Sequence, residues 1–211
     1  MESGEWCAIV HVDIGMRTGL EVVEDALRAL VAGSTETAGT VEIVALRMEG
    51  KPNHFEVIGR FASESAYKEH LVSSSNLAFR SMVASVLGSP YEDRLHGPRG
   101  DQRWPVASID DFVVVTQIEA RPTQLDAALP AFDGFVAEQS SAEGLLGQVA
   151  LQRPLLPNNL EVVSVWANSE AFEQYLESDG ARSVRAELEE ELLAPVDNRR
   201  YALIAGVWSV P

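Results

Sequence analysis

Residues 39–71 read GTVEIVALRMEGKPNHFEVIGRFASESAYKEHL, and residues 144–176 read GLLGQVALQRPLLPNNLEVVSVWANSEAFEQYL. The second string follows the first at an offset of 105 positions. Gly39 meets Gly144, Val44-Ala45-Leu46 meets Val149-Ala150-Leu151, and Pro52-Asn53 meets Pro157-Asn158. Glu56-Val57 meets Glu161-Val162, Ala62 meets Ala167, Ala66 meets Ala171, and Leu71 meets Leu176. Extending the register outward aligns Ala8–His96 with the second half without a gap, and about a quarter of the positions are identical. Thr18 meets Thr123, Leu20 meets Leu125, Arg80 meets Arg185, Pro90 meets Pro195 and Arg94 meets Arg199. A fixed period of this length marks a chain built of two similar units.

One unit can be read for both. Residues 6–14 are rich in β-formers and predict a strand. Leu20, Val23, Ala26, Leu27, Leu30 and Val31 fall at helical spacing and predict a helix to about Thr35, with one face against a sheet. Gly39 marks the exit. Val41–Met48 and Phe55–Phe61 predict two strands joined at Gly50-Lys51-Pro52-Asn53. Ser63 is a plausible N-cap for a helix with an acidic first turn, which breaks near 73–75 and resumes to about Leu87. The second half predicts strands at 112–119, 146–153, 160–166 and 200–210, and helices at 125–139 and 169–193. Each half is then βαββαβ, the ferredoxin-like order. The fold class expected is α+β, with domains at 1–97 and 111–211 and a linker at 98–110. Helices cover one face of such a sheet and leave the other bare, so a second copy is its simplest cover. The expectation is a fused pseudo-dimer, sheet against sheet or closed as an α/β barrel, with a pocket in the space between.

Composition bounds what such a protein binds. The chain has 211 residues, 46% apolar and 23% charged, with a net charge of −16. The charge divides unevenly, −5 over residues 1–105 and −11 over 106–211. So acidic a surface argues against nucleic acid or an anionic membrane as partner. Cys7 is the single cysteine, which excludes an intramolecular disulfide. No apolar run approaches a membrane span, and the first residues do not read as a signal peptide, so the expected location is cytoplasmic.

The segments Pro52-Asn53-His54-Phe55, Phe61 through Leu71, Phe79-Arg80 and Gly88 through His96 resemble the antibiotic biosynthesis monooxygenase family of dimeric α/β barrels, quinol monooxygenases included. The second half looks like a diverged copy of the same pattern. The resemblance implies a cofactor-independent monooxygenase. Its substrate would be a small aromatic, anthrone or quinol-type molecule that reacts with O2 once deprotonated, with no cofactor and no metal. The protein would supply a dry aromatic cavity and a base. Polyketide-tailoring members carry an Asn four residues before a Trp on the third strand, and quinol-type members often have an acidic residue two before the aromatic. Here the first pair is Val57 and Phe61 in one half and Val162 and Trp166 in the other, and the acidic place is Gly59 or Ser164.

All four histidines, His11, His54, His70 and His96, lie in the first half. His70 stands at the family's helical histidine position and is the first candidate for a catalytic base. His11, mid-strand, is the second. Read at 105, their counterparts are Tyr175 and Thr116. His54 and His96 read as structural or solvated. Phe61 and Trp166 occupy equivalent strand positions and could form a stacking wall for a flat ligand, with Tyr67 and Phe172 as the equivalent helical pair. Arg80 could hold a carboxylate or phenolate, or belong to a structural ion pair repeated at Arg185. The histidines show no H-x-H, H-x3-H or HExxH spacing, so no metal site is expected. Dinucleotide, nucleotide and serine-hydrolase motifs are also missing. Two other readings stay open: a non-catalytic barrel that binds a hydrophobic metabolite, and an isomerase or cyclase using His70. The active site is expected in or beside the first half. The fused chain could pair again as a homodimer through exposed strand edges.

Overall fold

A computed structural model describes residues 5–15, 19–100, 104–105, 107–108 and 111–206. The elements run β1 (Trp6–Asp13), α1 (Leu20–Ser34), β2 (Thr40–Met48), β3 (His54–Phe61), α2 (Glu64–Leu71), α3 (Ser74–Val83) and β4 (Glu92–Pro98). They continue with β5 (Phe112–Glu119), α4 (Leu125–Ser140), β6 (Leu145–Arg153), β7 (Leu156–Trp166), α5 (Ser169–Glu177), α6 (Asp179–Glu189) and β8 (Asp197–Ala205). This is α+β with the ferredoxin-like order twice over. The final strand was expected to reach 210, and its portion beyond 206 lies outside the described residues.

Two compact units emerge, and neither is a simple half of the chain. The first contains the described residues of 1–98 together with Ser108 and those of 201–208. The second contains those of 99–107 and 111–200. In the first unit β1 pairs antiparallel with β3 and β4, and β3 pairs with β2. On the other edge of β2, Met48 pairs with Tyr201, Arg47 with Ala202 and Leu46 with Leu203. The end of the last strand therefore completes the first unit's sheet. In the second unit β7 lies between β5 and β6.

The first core follows from strand alternation. Ala8, Val10 and Val12 of β1 and Phe55, Val57 and Phe61 of β3 face the helices, where they meet Val23, Leu27, Leu30 and Phe79. Residues at intervening positions, including His11, Glu56 and Arg60, face the other way. Ser63 caps α2 by accepting from the Ala66 amide at 3.1 Å. Ser73 ends that helix in an extended conformation and caps α3 through the Asn76 amide at 3.3 Å. In the second half the expected single helix over 169–193 is instead two. Ser178, with φ −65° and ψ 148°, closes α5 and caps α6 through the Ala181 amide at 3.1 Å.

The repeat also carries one step that the ungapped alignment does not contain. Phe61 and Trp166 are related by 105, yet their strand partners Trp6 and Phe112 are related by 106. The isolated bridges Ile14–Leu87 and Ala120–Leu192 show the same mismatch. The first unit thus has one more residue between its first strand and first helix. The counterpart of His11 is Gln117, not Thr116, and the counterpart of Val10 is Thr116. From the first helix onward the 105 register holds: buried Val23, Leu27, Leu30 and Val31 match buried Ala128, Phe132, Phe135 and Val136. No helix among the described residues is long and apolar enough to cross a membrane.

Candidate functional site

A cleft opens in the first unit between its sheet and helices. Its apolar walls come from Ala8, Val10, Leu30, Ile43, Val57 and Phe61, with Gly59 in the floor. His70 and Tyr67 enter from α2, Asn76 from α3, and Tyr91 and Asp93 from the chain around the start of β4. The volume is about 290 Å³ when the open space at the mouth is included, and the side chains leave room within it for about one water.

Helical geometry explains why α2 delivers two of these groups. Tyr67 and His70 are three residues apart and share a face, so both rings reach Phe61. The Phe61 and Tyr67 ring centroids lie 5.4 Å apart, edge to face, and those of Phe61 and His70 lie 5.2 Å apart. His70 is 7% exposed, and its Nδ1 has no hydrogen-bond partner. Burial without a counter-charge lowers its pKa to about 4, so the ring is neutral at pH 7.

At the mouth, Arg80 lies 4.5 Å over the ring of Tyr91, and its guanidinium reaches within 3.7 Å of Asp93. Burial raises the Asp93 carboxyl above its ordinary range, and Arg80 opposes that shift. Tyr67 is raised to about 12, by burial first and then by Asp93, with Arg80 opposing. Tyr91 is raised further for the same reasons. Both tyrosines therefore remain protonated hydrogen-bond donors at neutral pH.

The structure brings Phe61, Tyr67 and His70 together and sets Arg80 at the edge through Asp93 and Tyr91. His11 is not part of the cleft. It pairs with Glu56 across β1 and β3, on the opposite face of the sheet, with its Nδ1 3.6 Å from the Glu56 carboxylate. A strand's period of two makes that separation unavoidable, since Val10 already faces the cleft. Glu56 also accepts a hydrogen bond from the Tyr201 hydroxyl. His54 Nδ1 lies 2.6 Å from the Asp13 carboxylate, and buried His96 contacts the Arg94 carbonyl at 2.9 Å. Among the described residues, no group of three or more His, Cys, Asp or Glu side chains is placed to hold a metal ion.

Trp166 and Phe172 belong to the second unit and do not line this cleft. Their rings pack edge to face at 5.3 Å, Tyr175 stacks 5.4 Å from Trp166, and the Trp166 indole donates to Ser164 Oγ at 2.9 Å. At the cleft positions the second unit substitutes larger side chains: Val114 for Ala8, Phe135 for Leu30, Ser164 for Gly59 and Trp166 for Phe61. Val196 and Asn198 stand for Tyr91 and Asp93. Arg185 does not repeat the Arg80 pairing, because it bonds Glu189 at 2.8 Å within its own helix. Sequence reading missed Asp93, Tyr91, Asn76 and Gly59. The signal was the change at each corresponding second-half position: Asp93 to the neutral Asn198, Tyr91 to Val196, Asn76 to Ala181 and Gly59 to Ser164.

Residues 111–199 match the family model described as antibiotic biosynthesis monooxygenase. No curated protein matches the chain. Three solved structures resemble it over nearly its whole length. A "putative monooxygenase" from Fusobacterium nucleatum subsp. nucleatum has a TM-score of 0.83 at 10% identity, covering 100% of this chain and 97% of that one. A second protein so described, from Lactobacillus acidophilus, has a TM-score of 0.73 at 14% identity, covering 98% and 100%. An anthrone oxidase-like protein has a TM-score of 0.72 at 13% identity, covering 97% and 93%. At these identities the likeness establishes a shared fold, while activity has to be argued from the site.

Proposed function

We propose that the first unit is a monooxygenase that binds a small aromatic, anthrone or quinol-type molecule in this cleft and oxidises it with O2, without a metal or organic cofactor. The observation that carries this reading is His70: a buried, neutral imidazole with an unpartnered Nδ1, set against Phe61 in a cleft with apolar walls.

The chemistry asks little else of the protein. A phenol or enolised anthrone lying against Phe61 would place its hydroxyl at His70. The imidazole is a weak base while the cleft is empty, because a lone cation is costly there. Proton transfer from substrate creates an imidazolium beside an anion, and that pairing in a dry site offsets the cost. The electron-rich anion can then reduce O2. Recombination at carbon and loss of water convert a CH2 to a carbonyl, so that one anthrone and one O2 give one quinone and one water. Tyr67 and Tyr91 are protonated donors able to hydrogen-bond the oxygen that becomes anionic.

The little room that the side chains leave in the cleft favours a second reading, a non-catalytic site for a small hydrophobic metabolite. Oxygen uptake by chelated, flavin-free protein with anthrone and with hydroquinone separates the two. The oxygenase requires uptake above background, and His70→Ala should lose about 100-fold or more. No uptake by the wild-type protein, or full uptake by the variant, overturns the assignment.

A further inference from the structure

The geometry points to Asp93 as a substrate-contacting residue: its carboxylate, facing the cleft without a hydrogen-bond donor from the protein, receives one from the outer end of an aromatic ligand whose inner hydroxyl meets His70. This rests on the reading of the cleft given above and adds a specificity, for ligands that carry a donor at both ends.

The second unit makes the case. Across its equivalent of the β1–β4 pairing, Thr116 donates to Asn198 Oδ1 at 2.8 Å. Thr116 is the structural counterpart of Val10, and Asn198 is the counterpart of Asp93. In the first unit Val10 and Asp93 are direct partners across β1 and β4. Both line the cleft, but a valine has nothing to donate. The charged group at Asp93 therefore has less internal support than the neutral amide at Asn198. Its nearest cation is the Arg80 guanidinium at 3.7 Å, beyond hydrogen-bond range, and Arg80 is itself stacked on Tyr91. With 22% of its side chain exposed, the carboxylate keeps contact with solvent at the cleft, and a ligand that covers it has to supply a donor in water's place. His70, which lines the same cleft, carries a buried Nδ1 that also has no protein partner. Two such groups around one apolar space fit a ring with a hydroxyl at each end.

The test is anaerobic calorimetric titration of the full chain with hydroquinone and with 4-methoxyphenol, which keeps one hydroxyl and caps the other. The wild-type protein should prefer hydroquinone by about tenfold, as for a hydrogen bond to a charged acceptor. Asp93→Asn should cut that preference to about threefold or less, since the bond loses its charge assistance. Val10→Thr, which reproduces the Thr116 arrangement, should also cut the preference to about threefold or less by satisfying Asp93 internally. Equal wild-type affinities, binding of neither probe, or a tenfold preference that survives in Asp93→Asn overturns the role of Asp93. If Asp93→Asn does not fold, survival of the preference in Val10→Thr overturns it alone. Discrimination that depends on Asp93, without oxygen uptake in air, overturns the oxygenase reading and leaves this one standing.

Discussion

The ring of Phe61 lies back along its own strand over Gly59, and a Cβ at residue 59 would come within 2.8 Å of two of its ring carbons. Residues two apart on a strand share a face, so the missing side chain at 59 is what lets the ring lie back along the strand. Gly59→Ala should push the ring outward, reduce hydroquinone affinity and oxygen uptake by tenfold or more, and cost about 1–3 kcal/mol of stability through overpacking. The double variant Gly59→Ala, Phe61→Ala should recover part of the affinity, giving a strongly non-additive cycle. Simple additivity would show that Gly59 does not set the ring's position.

His70 links acid stability to the cleft. Its pKa falls from 6.5 unfolded to about 4 folded, because burial disfavours the cation. The unfolded chain therefore binds the extra proton between those values, and stability rises with pH across that window. The loss on acidification should reach about 3 kcal/mol by pH 4. His70→Phe should flatten the stability profile between pH 6.5 and 4, measured by urea unfolding. An unchanged slope would mean that His70 is protonated in the folded state.

Gly39 and Gly144 have φ of 76° and 79°, and a Cβ on either would meet the Cβ of Ala66 or Ala171 at 2.6 Å. The left-handed backbone alone costs an alanine about 1–2 kcal/mol, and the clash adds to it. Gly39→Ala and Gly144→Ala should each destabilise by at least that amount in denaturant unfolding. Ala66→Gly should recover part of the loss in the first case.

The Tyr201 hydroxyl donates to the Glu56 carboxylate, and both side chains are buried. Tyr201→Phe removes a donor from a buried charge and should cost about 1–3 kcal/mol in unfolding of the full chain. Residues 1–98 expressed alone lack the strand that pairs with β2 and leave that edge open. They should be aggregation-prone in comparison with the whole protein. A soluble, equally stable fragment would contradict the structural role of 201–205.

Local pattern determined the elements. Alternation in 6–14 and 112–119, helical spacing from Leu20, and the glycine exits at 39 and 144 each encode one element through near neighbours, so they were legible in the residues. The 105 register made the doubled βαββαβ order legible as well. Three features depended on tertiary structure. The one-residue step before the first helix is invisible where identities are sparse, and only strand pairing places Thr116 opposite Asn198. The addition of Tyr201–Ala205 to the first unit's sheet joins residues about 150 apart, which no local signal encodes. The cleft itself collects residues from four strands, three helices and Tyr91 just before β4, and excludes His11 although it is a histidine on the right strand. A sequence can nominate His70, Phe61 and Tyr67 by type and position. Which face each presents, and that Asp93 is left without a donor there, is decided when the strands pair and the helices pack.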